Sequence, residues 1–306
     1  MARNVQIPPA DPFEPQSVEV SDAPSPLIVD VARIQPYERN PRHGCNPEYD
    51  RIKDSIRSNG LDQPLVITQR PGAADYIVHT GGNTRLLILK ELYEETGDER
   101  FLCIQCVFKA WRCESDVLLA HLRENDLRGS LTFIDKARAV LDAKQLLGKD
   151  LGVKEISMRR LETELTKAGY SISRTSICLM EYAVETLLKL VPQALEIGMG
   201  RRQVERIRAF ERAARSIWQQ RCTSSDSEFE TVFAALCRRY DGLDWDTCVL
   251  QSALETEIAE EAEISIQTIR VGLDAEIKGR EVVIPAFIPI KEPPQPEKRG
   301  NDDGDP

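Results

Sequence analysis

The β-forming run Tyr76-Ile77-Val78 leads within three residues to the glycine pair Gly81-Gly82, and a strong helical pattern follows from Leu86 to about Thr96. This strand–Gly-Gly–helix junction constrains the fold more than any other feature of the chain. Glycines at that point let the backbone turn sharply and approach a ligand closely. The free N–H groups and the dipole of the following helix favour an anion. Arg85, in the first turn, adds a cation able to grip a phosphate through two hydrogen bonds. A plain tight turn fits the same residues, so the junction takes its meaning from what surrounds it.

Upstream, Leu27–Val31 reads as a short strand, followed by the polar segment Tyr37 to Arg42. Asn46-Pro47 supplies a cap and a first-turn proline for a helix whose Tyr49, Ile52 and Ile56 share one face, and Gly60 ends it. Gln63-Pro64 leads into the strand Leu65–Thr68, Pro71-Gly72 forms a turn, and Cys103–Phe108 is a further strand. Residues 27–114 therefore predict a small α+β domain. From Ser115 the spacing becomes helical, over Asp116–Asn125, Phe133–Leu147, Ser157–Tyr170, Ser173–Leu190, Val191–Ile197 and Arg201–Gln220. That predicts an all-α domain over 115–220. Residues 223–227 read as a linker, and 228–290 as a small C-terminal unit of mixed helix and strand. The proline-broken residues 1–26 and the proline-rich, then acidic, residues 291–306 read as a disordered arm and tail.

The formal net charge of −10 argues against a nucleic-acid partner until its distribution is considered. Residues 151–220 carry 12 Lys and Arg against 8 Asp and Glu, whereas 221–306 carry 9 against 19. The middle of the chain is basic, and a local basic surface attracts phosphate. There the pair of helices either side of Gly169-Tyr170 has the spacing of a helix-turn-helix. Arg174, Thr175 and Ser176 open its second helix, where side chains enter a major groove. Ile177, Leu179, Met180, Ala183 and Leu187 supply the packing side. Arg159, Arg160, Lys167, Arg201 and Arg202 are candidate phosphate contacts. A plain helical bundle fits the periodicity as well; the local charge favours DNA. On the helix from Arg201, Glu205 and Glu211 leave two readings open, a salt-bridged face or a phosphate-binding one.

Cys103, Cys106 and Cys113 cluster in sequence, but a structural zinc needs four ligands and only His121 follows nearby, so half-buried thiols fit better. No stretch reaches the roughly 18–20 apolar residues of a membrane helix, and the first twenty residues lack the pattern of a secretory signal. A cytoplasmic location is expected.

The succession Asn40-Pro41-Arg42, Ser58-Asn59-Gly60-Leu61, Gln63-Pro64-Leu65 and Gly82-Asn83-Thr84-Arg85 resembles the N-terminal domain of the ParB family of partition proteins, whose fold is shared with sulfiredoxin. The resemblance covers about residues 27–215. It implies an α+β ParB/sulfiredoxin-like domain, then the all-α helix-turn-helix domain, then the small mixed C-terminal unit. In the family the glycine segment reads GERR, followed by another arginine, and grips the triphosphate of CTP. Gly82 and Arg85 match; Asn83, Thr84 and Leu87 depart, removing two cationic contacts of roughly 1.5–3 kcal/mol each. The box Glu124-Asn125-Asp126-Leu127-Arg128 resembles the family's ENxQR segment, in which the asparagine helps to hold magnesium and the glutamate serves hydrolysis.

By that resemblance Gln63, Gly82, Asn83, Thr84, Arg85, Asn125 and Arg128 bind CTP, Asn125 meets its magnesium, and Glu124 is catalytic in a weak CTP hydrolase. It further implies a homodimeric, nucleoid-associated clamp on double-stranded DNA, with a ParA-type ATPase as partner. The replicon served would be a plasmid, a chromosome or an integrating conjugative element. A transcriptional regulator that keeps the fold and has lost the nucleotide is the alternative. A nuclease would need a carboxylate cluster the sequence does not offer. A sulfiredoxin-like phosphotransferase would need a cysteine directly before His-Arg, where this chain has Asn83-Thr84-Arg85.

Overall fold

The structure, a computed structural model, describes residues 23–280 apart from 43, 45, 130 and 223. Most of the expected arm and the whole expected tail lie outside the described residues, as do residues 281–290 of the expected mixed unit. The chain groups into two compact units that meet in sequence between Thr186 and Leu187. The division thus falls inside the expected 115–220 domain and not at either of its ends.

In the first unit five strands form one mixed sheet: β1 (Ser25–Asp30), β2 (Ile34–Gln35), β3 (Leu65–Thr68), β4 (Tyr76–Thr80) and β5 (Cys103–Phe108), in the order β1-β5-β3-β4-β2. β3 pairs antiparallel with β4 through the Pro71-Gly72 turn and parallel with β5. The helices are α1 (Tyr49–Asn59), α2 (Asn83–Thr96), α3 (Glu114–Leu127), α4 (Phe133–Asp150), α5 (Met158–Lys167) and α6 (Arg174–Glu185). Helix α1 begins two residues later than its first-turn proline suggests: Asn46 instead accepts from the Glu48 N–H, and so turns the chain into the helix.

Leu65, Ile67, Val78, Leu86, Leu89, Leu92 and Phe101 close one core between the sheet, α1 and α2. The near-continuous burial of β3 and the one-sided burial of α2 through Leu86, Ile88, Leu89 and Leu92 explain why these short apolar runs hold their places. On the outside of α1 and α2, Lys53 bridges Glu91 and Glu95 at 2.6 and 2.7 Å, exposed pairs that orient the helices and add little stability. Helix α3 packs on β4, α4 packs on α3, and α6 packs on α4. Helices α5 and α6 are consequently built into the same unit as the sheet.

The second unit begins with a 3₁₀ turn at Leu187–Lys189 and continues through α7 (Pro192–Ile197), α8 (Arg201–Arg221), α9 (Asp226–Tyr240), α10 (Thr247–Glu261) and α11 (Ile266–Ile277). Over its described residues it is helical throughout. Phe229, Phe233, Leu236 and Cys237 are buried along α9, and Leu250, Leu254 and Ile258 along α10, all at helical spacing. Ser225, Asp246 and Ser265 cap the three helices, so α9 starts within the expected linker. Trp218 of α8 meets Phe229 edge-on at 5.7 Å. Glu255, only 1 % exposed, is neutralised by Arg270 at 2.9 Å.

Candidate functional site

The junction between β4 and α2 is shaped by two glycines whose backbones no L side chain adopts easily. Gly81 has φ +49° and Gly82, which caps α2, has φ +96°. A Cβ on Gly81 would overlap the Glu124 carboxylate. A Cβ on Gly82 would lie 2.8 Å from Leu65 Cδ2 in the core and 3.3 Å from Arg85 Nη2. One glycine makes room for a functional group, and the other seats the turn on β3.

A polar cleft opens where α2 begins and α3 ends. Its lining includes every residue expected to contact nucleotide: Gln63, Gly82, Asn83, Thr84, Arg85, Glu124, Asn125 and Arg128. Their roles there differ. Arg85 donates from Nη1 to the Gln63 carbonyl at 2.8 Å, and burial, followed by the neighbouring Arg128 charge, lowers its pKa. A guanidinium that has lost water without a dedicated carboxylate is a strong anion site. Glu124 and Arg128, one turn apart, pair at 2.5 Å. Asn83 lines the cleft, yet its side chain accepts from the Tyr37 N–H at 3.1 Å and donates to the Tyr37 carbonyl at 3.0 Å. That amide is a clamp on the Tyr37–Arg42 segment, with one donor and one acceptor site engaged by Tyr37. Asn125, buried, donates to the His121 carbonyl at 2.9 Å and to Asn40 Oδ1 at 3.3 Å.

Among the cleft residues that sequence reasoning did not assign to the site are Arg42 and His121. His121 lies three residues before Glu124 and four before Asn125, so helical spacing alone places it on their face. Its Nε2–H donates to the Val78 carbonyl at 3.0 Å, and its ring stacks on Tyr37 at 4.9 Å. Burial is the main cause of an imidazole pKa pushed down to about 4. Behind the cleft, the second buried histidine, His79, links Thr80 Oγ1 at 2.7 Å to Asp116 Oδ2 at 3.1 Å. The His79 hydrogen bond, reinforced by Lys109, holds the Asp116 carboxyl at about 2.

The expected helix-turn-helix pair, α5 and α6, is capped at both starts. Ser157 accepts from the Arg160 N–H and Ser173 from the Ser176 N–H, each at 3.3 Å. Gly169, at φ +80°, makes the turn, and the Tyr170 N–H closes it on the Leu165 carbonyl at 2.8 Å. Both helices are shorter than expected: α5 ends at Lys167, before the Gly169 turn, and α6 ends at Glu185, where a 3₁₀ turn replaces α-helix from Leu187. Arg159, Arg160 and Thr175 are exposed, as phosphate or base contacts need. Arg174 is exposed too, but its guanidinium pairs with Glu162 at 3.0 Å. Ser176 corrects the expectation of a base-reading residue: it is 7 % exposed, it belongs to the Ser173 cap, and it shares the buried face of Ile177 and Met180. Arg201 and Arg202, both exposed, open α8 in the other unit, where Arg201 pairs with Glu205 at 2.8 Å.

Cys103 is exposed and Cys106 buried, on opposite faces of β5, while Cys113 sits at the start of α3. Burial pushes the Cys106 thiol up to about 11, so it behaves as a small apolar side chain. No helix among the described residues is long and apolar enough to cross a membrane.

No family model and no curated protein matches the sequence. Solved structures do match the fold. A pNOB8-like ParB N-domain aligns over 79 % of this chain and 97 % of its own at 15 % identity, with a TM-score of 0.52. A second structure of a pNOB8-like ParB N-domain covers 77 % and 96 % at 15 % identity, with a TM-score of 0.49. C-terminally truncated ParB from Caulobacter crescentus, complexed with CTP-γ-S, covers 56 % of this chain and 91 % of its own at 17 % identity, with a TM-score of 0.28. The first of these likenesses establishes the architecture: the chain has the fold of a ParB N-domain.

Proposed function

We propose that this chain is a site-specific DNA-binding protein of the partition type, and that CTP with magnesium in the α2–α3 cleft governs its hold on DNA. One observation carries the reading. A single compact unit contains both an arginine-lined cleft at a glycine-opened helix N-terminus and a doubly capped helix pair, α5 and α6, and α3 touches both. The cleft suits a nucleotide's phosphates, with Arg85 and Arg128 as cations and the α2 N-terminus as donor. Arg159, Arg160 and Thr175 are exposed on the helix pair and would meet DNA. Asn125 would meet the magnesium and Glu124 would orient the attacking water in slow hydrolysis. A homodimer, a ParA-type ATPase partner, and a plasmid or integrating-element origin complete the proposal. So do attachment to the nucleoid and phosphate contacts from Arg201 and Arg202.

The test selects a binding sequence from random duplexes with the full chain, then titrates CTP and Mg²⁺ with and without the selected duplex. A reproducible sequence whose affinity changes with CTP is the expected result. Failure to enrich any sequence overturns the DNA reading. Absence of CTP binding at millimolar concentration overturns the nucleotide switch. It would favour a regulator that keeps only the fold, a reading to which the Asn83–Tyr37 clamp lends support because it engages a donor and an acceptor of a nucleotide-facing amide.

A further inference from the structure

One carboxylate ties α5 to the start of α6. Glu162, in the second turn of α5, reaches across 12 residues of sequence to Arg174, the first residue of α6. Its Oε1 accepts the Arg174 N–H at 3.2 Å, and its Oε2 lies 3.0 Å from Arg174 Nε. The first contact satisfies one of the donors that the opening turn of a helix leaves over, as Ser173 does by accepting from the Ser176 N–H. Helix capping accounts for that oxygen and not for the second.

The Arg174 side chain is 55 % exposed, yet it is held. An exposed arginine without such a hold samples many rotamers, and ordering it on a ligand opposes binding. The Glu162 carboxylate removes part of that freedom beforehand. It meets the guanidinium on its Nε edge, which leaves the two terminal Nη groups as a fork for two acceptors side by side. The pairing also decides what those acceptors are. A guanidinium neutralised at short range adds little to the attraction of phosphates, whereas its hydrogen-bonding geometry is intact. In a major groove the base edge that presents two acceptors side by side is that of guanine, through O6 and N7.

We infer that Glu162 is a positioning residue for base reading, holding Arg174 so that its two Nη groups read one guanine of the DNA site. The role rests on α5 and α6 being the helices that meet DNA; the contact between Glu162 and Arg174 does not.

Selection of a binding sequence from random duplexes with the full chain, followed by anisotropy titrations of the selected duplex, tests the role. The expected consensus contains a guanine whose preference falls by about ten- to a hundredfold in Arg174→Ala, with the other positions unchanged. Glu162→Gln keeps a neutral acceptor for the Arg174 N–H and removes the charge that holds the guanidinium. It should lower the preference at that same guanine by about tenfold and leave affinity for a scrambled duplex no weaker. Added to Arg174→Ala, it should have no further effect at that position. A 7-deazaguanine there, which lacks the N7 acceptor, should weaken wild-type binding by about tenfold and leave Arg174→Ala unaffected.

Uniform weakening of all sequences in Arg174→Ala, with a shallower salt dependence, would make Arg174 a phosphate contact and overturn the inference. Uniform weakening in Glu162→Gln, with faster exchange of the first α6 amides, would make Glu162 a helix cap alone and overturn it equally. A consensus without such a guanine overturns it and leaves the DNA reading standing. Failure to enrich any consensus removes that reading, and the inference with it. Should either variant not fold, the wild type decides alone, since binding indifferent to 7-deazaguanine at every guanine of the selected duplex refutes the role.

Discussion

Replacing each junction glycine with alanine should give two different failures, although the residues are adjacent. Both substitutions place an L side chain in the left-handed region, at a cost of roughly 1–2 kcal/mol. Both also stiffen the unfolded chain, which returns about 0.4–1 kcal/mol. At Gly81 the new Cβ meets only the end of the Glu124 side chain, which can swing into solvent. The net loss of stability for Gly81→Ala is therefore about 1 kcal/mol, while Glu124 leaves its place in the cleft. At Gly82 the Cβ meets Leu65 Cδ2 at 2.8 Å, and Leu65 is wholly buried. Overpacking a core of this kind adds about 1–3 kcal/mol, so Gly82→Ala loses about 2–4 kcal/mol. Hydrogen exchange of the β3 and α2 amides, read by mass spectrometry, reports on the first unit separately from residues 187–280. Gly82→Ala should raise exchange across both elements, whereas Gly81→Ala should leave β3 protected and abolish CTP hydrolysis. Equal protection in the two variants, or greater loss in Gly81→Ala, would refute the assignment of the two glycines.

Thr84 lines the cleft and Leu87 does not, and Leu87 is 47 % exposed; by calorimetry, Thr84→Arg should tighten CTP by about ten- to a hundredfold through one new charge-assisted contact, and Leu87→Arg should change it little. Ser173→Ala removes a cap worth about 1 kcal/mol and should weaken specific DNA binding in an anisotropy titration. In the same assay Thr175→Ala, at an exposed position, should relax sequence preference with an unchanged thermal midpoint. Arg123 donates to the Ala168 carbonyl in the turn between α5 and α6, so Arg123→Ala should increase amide exchange over 168–173 and lower DNA affinity while leaving CTP binding intact. Burial holds His121 at about 4 in the folded chain, below the roughly 6.5 of an unfolded histidine. Its contribution to stability is complete above about pH 6.5 and is lost as pH falls towards about 4; a denaturation midpoint that stays flat down to about pH 5 would contradict this.

The elements that follow a repeat were legible, and those set by a single tertiary contact were not. Strands β3 and β5 and helices α3 to α6 follow apolar spacing, and the caps at Ser157 and Ser173 follow from serine before a helical run. The burial of Ser176 was available to the same reasoning, because residues 176, 180, 183 and 187 share one stripe at i, i+4, i+7 and i+11. Strand β2 is only two residues long and exists through its pairing with β4, which no local pattern announces. The Asn83 clamp depends on Tyr37, 46 residues away in sequence, meeting the start of α2. The division at Thr186 was likewise invisible, since it is α4 that joins α6 to the sheet domain, and helical periodicity does not say which helices touch.

Helix α3 has two working faces, and their energies bound what a nucleotide can do to DNA binding. His121, Glu124, Asn125 and Arg128 face the cleft. Arg123 holds the turn between α5 and α6, and Asp126 pairs with Lys136 of α4, while burial, followed by the Asp126 charge, raises the Tyr170 phenol. A ligand that shifts the last turn of α3 must therefore carry the turn between α5 and α6 with it or break the Arg123 link. A charge-assisted hydrogen bond of that kind contributes about 1.5–3 kcal/mol, which corresponds to roughly ten- to a hundredfold in DNA affinity. Moving a two-state equilibrium from 1:99 to 99:1 takes about 5.5 kcal/mol. The link within one chain falls short of that by about 2.5–4 kcal/mol. A complete switch then requires a second source of differential binding, and two clefts acting together in a homodimer would double the available energy to about 3–6 kcal/mol, which reaches the amount needed only at its upper end.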